Sequence, residues 1–204
     1  MKYAKILGVL AVAAALTGFA GTASATELTN LEGKAYGAGT KLKAASESKK
    51  ITIDSAAAVE CSKSAIEFEV TEAGSATATV SGPITQLTLE VCGSNTATVL
   101  KAGSFEIHTD IENKVDGNGV LTSTGAEITV LTHSILGTVH CIYLTNETFI
   151  GTIIGSKNKM AEEATIEMNS APMTRKSTDV GCNSANPLWT GSYQITEPSY
   201  LNVD

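Results

Sequence analysis

One run of short segments occurs twice in this chain, and each time it alternates apolar and polar residues. The first run is Ile51-Thr52-Ile53, Val59-Glu60-Cys61, Cys92 and Gly103-Ser104-Phe105-Glu106-Ile107. The second is Ile128-Thr129-Val130, Val139-His140-Cys141, Cys182 and Gly191-Ser192-Tyr193-Gln194-Ile195. A period of two sends successive side chains to opposite faces of a strand, so both runs read as half-buried β-structure. After residue 25 no stretch carries a useful i, i+3, i+4 apolar stripe, which leaves little room for helix. The expectation is an all-β chain, an antiparallel β-sandwich of about ten strands after an N-terminal signal helix. It would form a single domain over 26–204, built from two similar disulfide-closed units at about 51–110 and 128–204.

The four cysteines are even in number and lack the C-x-x-C or clustered Cys/His spacing that a metal site needs. Two disulfides are therefore expected. Equivalence of the two runs favours Cys61–Cys92 with Cys141–Cys182, while Cys61–Cys141 with Cys92–Cys182 stays open.

Disulfides also require an oxidising compartment, and the chain start agrees. Lys2 and Lys5 precede the apolar run Ile6 to Leu16, and Ala23-Ser24-Ala25 has the small-x-small form of a cleavage site. The apolar run is short for a bilayer span. Residues 1–25 read as a secretory signal peptide, so the protein is expected to be extracellular, with no membrane contact after cleavage. Cleavage leaves 179 residues, and the formal charge of −7 becomes −9 once Lys2 and Lys5 leave. An acidic chain without a basic cluster excludes nucleic acid as a natural partner.

Several local patterns give finer expectations. Thr40 to Ala44 reads as an edge strand guarded by Lys41 and Lys43. Ile66, Phe68 and Val70 face a core while Glu67 and Glu69 face water. Glu72-Ala73-Gly74-Ser75 reads as a hairpin turn and Ser81-Gly82-Pro83 as a break. The second cysteine pair is spaced ten residues wider than the first, which predicts a longer loop within Asn169 to Thr178. Asp110, Glu112, Asn113, Asp116 and Asn118 gather oxygen donors, but their spacing departs from a calcium-binding EF-hand loop, and the stretch reads as a solvated hairpin.

Catalytic signatures are not found. His108 and His140 neighbour inward-facing residues and should point outward, while His133 falls at a strand end. Neither a strained G-x-S-x-G turn nor an arguable carboxylate pair is present. Trp189, the single tryptophan, reads either as a core anchor beside the second disulfide or as an exposed contact for a glycan or small ligand.

The opening Thr26-x-Leu28-Thr29-Asn30-x-x-Gly33, then Gly39-Thr40 and Val59-x-Cys61-x-x-Ser64, resembles small secreted proteins of actinobacteria. The ending Trp189-x-x-x-Tyr193-x-Ile195-Thr196-x-Pro198-x-x-Leu201-x-Val203 is similar to their C-termini. That resemblance implies a secreted β fold and carries over no activity or functional residue. The resulting expectation is a non-catalytic extracellular or cell-surface structural or interaction protein without cofactor, its partner unknown and self-association allowed. A small-ligand or glycan-binding module is the alternative, and a hydrolase with an unrecognised site the second.

Overall fold

A computed structural model describes residues 26–46, 51–54, 58–93, 95–109, 115–134, 137–159, 163–177, 181–182 and 187–204. The leader, the donors Asp110, Glu112 and Asn113, and the side chain of His133 lie outside what is described. In chain order the strands are β1 (Leu28–Thr29), β2 (Lys41–Ala45), β3 (Ile51–Asp54), β4 (Val59–Glu69), β5 (Glu72–Ser75) and β6 (Ala78–Cys92). They continue with β7 (Thr96–Lys101), β8 (Ser104–Thr109), β9 (Gly119–Thr124), β10 (Glu127–Ser134) and β11 (Gly137–Leu144). The last are β12 (Thr148–Ile154), β13 (Thr165–Pro172), β14 (Thr174–Arg175), β15 (Leu188–Glu197) and β16 (Asn202–Val203). A single 3-10 turn at Ser156–Lys159 is the helical element among the described residues.

The chain is all-β and antiparallel, but its main sheet closes on itself. Ladders connect β4, β6, β8, β9, β12, β13 and β15 in turn. The ring shuts because β2 and β3, laid end to end, pair with β4 on one side and β15 on the other. The result is a closed barrel of eight staves where two facing sheets were expected. Strand β2 is thus central, not an edge. Leu42 and Ala44 are buried and Lys43 meets Glu197 at 2.7 Å. Alternation with lysines outside is the same whether a strand has one neighbour or two, so the pattern alone cannot reveal closure.

Four staves run on beyond the barrel. Past bends at Ala102-Gly103, Gly125-Ala126, Thr145 to Glu147 and Met173, the strands β7, β10, β11 and β14 form a separate four-stranded sheet in the order β14-β11-β10-β7. Gly103 makes its bend at φ +80°, and a Cβ there would lie 2.4 Å from the Ala126 nitrogen. Only glycine tolerates both demands. Across the bend the Thr145 hydroxyl accepts from the Ala126 nitrogen at 3.0 Å and meets the Ser123 hydroxyl at 3.0 Å. At the opposite end β1 pairs with β16, burying Leu28, Leu201 and Val203.

The inward side chains of barrel and outer sheet merge into one apolar cluster. Phe68 and Phe105 meet edge to face inside it, with ring centroids 5.0 Å apart. Two punctuating glycines prove to serve close packing. Gly74 lies in β5 because a Cβ would strike the Thr26 carbonyl oxygen at 1.9 Å, and the turn falls at Ala76-Thr77 instead. Gly82 faces the Glu69 carbonyl equally closely, and β6 runs unbroken through Pro83 while exchanging β8 for β4 as neighbour. The wider loop expected at Asn169 to Thr178 is largely strand: β13 extends to Pro172, β14 follows, and Ala171 and Met173 are buried.

The disulfides are Cys61–Cys92 and Cys141–Cys182. The two sequence runs nonetheless differ in place and register. In the first, Ile51 faces Cys61 within the barrel; in the second, Val130 and not Ile128 faces Cys141, within the outer sheet. They are alike at their ends, each closing on a barrel stave with a buried aromatic and isoleucine, Phe105 and Ile107 in β8 and Tyr193 and Ile195 in β15.

Cys92 reaches the core through an unusual backbone. Leu87 and Leu89 pack inward, so a regular strand would turn Cys92 outward, yet it too packs against the core. The reversal is made at Val91, which holds φ +51° and is 69% exposed. A β-branched residue in that conformation is strained by about 1–2 kcal/mol. Val91→Gly should therefore raise stability by up to about 1 kcal/mol, less than the strain because glycine adds freedom to the unfolded chain. Urea unfolding would show this as a higher midpoint at unchanged slope.

Candidate functional site

The barrel interior holds a chain of hydroxyls beneath Trp189. Ser64 donates to the Thr88 carbonyl at 2.6 Å, which spends its one proton, so the Tyr193 hydroxyl donates to Ser64 across 2.9 Å. Burial drives the Tyr193 phenol well above its ordinary range, with Ser64 and the Trp189 indole acting the other way. It stays protonated at neutral pH and offers no base. Trp189 is only 4% exposed, and its Nε1 has no hydrogen bond of normal geometry among the described residues. It lines a void of about 10 Å³ with Ile66, Phe68, Leu87, Ile150 and Met168. That volume is about one water molecule and far below a sugar ring. Of its two readings, core anchor and exposed contact, Trp189 takes the first: it lies opposite Ile53 and Ala171, both inward-facing.

Open space occurs on the outside, around the disulfide-bearing end of β4 and β6. A groove of about 610 Å³ is lined by Ser46, Ser62, Lys63, Ser64, Thr88 and Glu90, with Lys63 directly opposite Glu90. A second of about 360 Å³ borders it at Ser62 and is lined by Val59, Glu60, Val91, Gly93 and Asn95. Both follow from a change of face in β4. Val59 and Cys61 are buried, then Ser64, Ile66 and Phe68, so the inward positions move from odd to even numbers across Ser62-Lys63. The apolar pattern records the shift of face, but no motif marks the hydroxyl-rich groove it opens.

Neither His108 nor His140 lines these grooves. His108 is partly exposed on β8, its Nε2 3.5 Å from a Glu106 carboxylate oxygen, so one acid does share its face. His140 is exposed on β11, between the buried Cys141 and the partly buried Val139. Among the described residues no serine hydroxyl is hydrogen-bonded to either.

No family model, curated protein or solved structure matches this chain.

The remaining charged clusters hold strands together. Glu127, at the start of β10, receives Lys101 of β7 at 2.9 Å and Lys176, just past β14, at 2.7 Å. These two hydrogen bonds, Lys176 foremost, lower its pKa. Arg175 donates to the Cys182 carbonyl, which ties β14 of the outer sheet to the second disulfide. At the far end, Lys157 inserts between Asp116 at 2.8 Å and Asp204 at 2.6 Å, and Thr29 donates to Asp204 at 2.5 Å. Asp116, one of the oxygen donors of the 110–118 stretch, is thus paired with an ammonium.

Burial opposes ionisation of Asp204, but hydrogen bonds from Lys157 and Thr29 outweigh it and hold the pKa below the usual range. For Lys157 burial likewise opposes the charge, and Asp116 with Asp204 raises its pKa. A depressed carboxylate stabilises the fold above its unfolded pKa and loses that contribution as pH falls through the folded value; a raised lysine loses its own as pH rises. The clamp should therefore work between about pH 4 and pH 10. For side chains this exposed it contributes about 0.5–1 kcal/mol. Hydrogen exchange at the Glu27 and Asp204 amides, which bond reciprocally to each other's carbonyls, should accelerate below about pH 4 relative to the barrel core. Asp204→Asn should remove that acid dependence.

Proposed function

We propose that this is a non-catalytic, secreted extracellular or cell-surface protein that acts through its outer strands and loops. The packed barrel core supports the reading: among the described residues the void beside Trp189 holds only about 10 Å³, too little for a sugar or small ligand. Two disulfides suit an oxidising compartment, and in the described residues no helix is long and apolar enough to cross a membrane. The resemblance of the chain's two ends to small secreted actinobacterial proteins points the same way. Fractionation of expressing cells with thiol labelling tests it. The mature chain, starting at Thr26 and unreactive to the label, should be found in the medium or on the washed cell surface. Retention in the cytosol with reactive cysteines would contradict the reading.

A glycan- or small-ligand-binding role is favoured by one observation, the 610 Å³ outer groove with its Ser, Thr, Lys and Glu lining. Sugar recognition there would use hydroxyls and the Lys63/Glu90 pair, without Trp189. A glycan panel should then show binding that Lys63→Ala abolishes and a Trp189 fluorescence spectrum that does not shift.

A further inference from the structure

We propose that Cys61–Cys92 is a thiol-exchange site, a bridge that a dithiol opens at Cys92 in the folded protein, while Cys141–Cys182 is fixed. The proposal goes beyond the extracellular reading and needs from it only that both bridges begin formed.

The two disulfides differ in exposure and setting. Cys141 and Cys182 are both buried, with Cα atoms 5.5 Å apart, and the Ser177 hydroxyl donates to the Cys182 sulfur at 3.4 Å. In the other bridge Cys61 is buried but Cys92 is partly exposed. These two residues are direct partners across neighbouring strands, and their Cα atoms stand 3.9 Å apart. Native bridges usually span about 4.4–6.8 Å, and departures from that range leave the bond easier to reduce.

A second strain lies at the same point. Val91, next to Cys92, holds φ +51°, a conformation that a β-branched residue keeps only where its surroundings impose it. Here the bridge imposes it by drawing Cys92 inward. Strand β6 ends at Cys92, and beyond it the Gly93 nitrogen donates to the Glu60 carbonyl at 3.2 Å. Opening the bridge lets this strand end relax. The ladder from Lys63–Glu90 to Phe68–Ile84 keeps β4 and β6 joined, so the opening is local.

The 360 Å³ groove gives access. It is lined by Val59, Glu60, Ser62, Val91 and Gly93, which flank Cys61 and Cys92 along both strands. One thiolate of the dithiol attacks Cys92 Sγ. The Cys61–Cys92 bond breaks, and its electron pair goes to Cys61 Sγ, which takes up the proton the attacking thiol lost. The second thiol then displaces Cys92 Sγ and passes its own proton to it. Two protein thiols and one oxidised dithiol result. Glu60 and Glu90 stand beside the bridge in a chain of formal charge −7, so a neutral thiol suits the site better than an anionic one.

Reduction of the oxidised mature protein by dithiothreitol under native conditions tests the proposal, with quenching by N-ethylmaleimide and peptide mass mapping. Cys61 and Cys92 should be alkylated about tenfold or more faster than Cys141 and Cys182, at a rate that low urea leaves unchanged. The monothiol mercaptoethanol should be trapped on Cys92 and not on Cys61. Val91→Gly adopts the same φ without strain, so it should raise the dithiothreitol needed for half-reduction about threefold to tenfold. Circular dichroism establishes that this variant is folded, and the wild-type rates stand without it. Any of four results would overturn the assignment: equal rates at the two bridges, opening only where urea unfolds the chain, an adduct on Cys61, or a half-reduction point that Val91→Gly leaves unmoved. Each would leave the extracellular reading to its own fractionation test.

Discussion

Phe105→Ala is expected to destabilise the protein by about 3–5 kcal/mol, the largest effect of any single truncation argued here. Phe105 is 1% exposed near the start of β8, where its ring meets Phe68. Truncation removes apolar area, leaves a cavity in a wall of paired strands that cannot collapse freely, and ends an aromatic contact worth about 0.5–1.5 kcal/mol. Phe149 supplies the contrast. It is the same residue type on β12 but faces solvent, so Phe149→Ala should change stability by no more than about 0.5–1 kcal/mol. Urea titration of both variants measures the difference. Equal costs would mean that the side chains of β8 do not fill the barrel as described.

Removing either disulfide comes next. Cys61→Ala with Cys92→Ala frees a separation of 31 residues, and Cys141→Ala with Cys182→Ala frees one of 41. If the bridges act by restricting the unfolded chain, each loss costs about 3–4 kcal/mol, and the two differ by only a few tenths. Cys61 is wholly buried opposite Cys92 between neighbouring staves, so alanine is the right replacement; serine would add a buried hydroxyl. The first pair should also couple to Val91. Without the bridge, the strained φ of Val91 no longer has to hold Cys92 inward and can relax. Val91→Gly should then stabilise the bridgeless protein less than the wild type, a coupling that a double-mutant cycle measures.

The strands themselves were readable because alternation is local. Ile66, Phe68, Val70, Phe105 and Ile107 are buried as their pattern requires, and the cysteines pair as their order in the two runs suggests. Closure was not readable, because β2 makes its second ladder with β15, some 150 residues away, and nothing local announces it. Gly74 and Gly82 misled for a related reason. Glycine marks a turn or a close approach, and only the distant carbonyls of Thr26 and Glu69 decide which. Trp189 shows the same ambiguity at the candidate site, since one indole next to Pro187 suits a platform or a core equally. The outer groove was legible only as the shift of buried positions between Cys61 and Ser64. Its lining comes from β2, β4 and β6, which no linear motif spans.

The claim beneath these expectations is that the sheet closes around its own side chains, and Ala44 tests it most directly. In the closed barrel Ala44 is the ladder partner of Ile66 in β4 and of Ile195 in β15 at once. Nuclear Overhauser spectra of labelled protein should therefore link the Ala44 backbone to both Ile66 and Ile195. Contacts to Ile66 alone would make β2 an edge strand, reopen the sheet into a sandwich, and contradict the account.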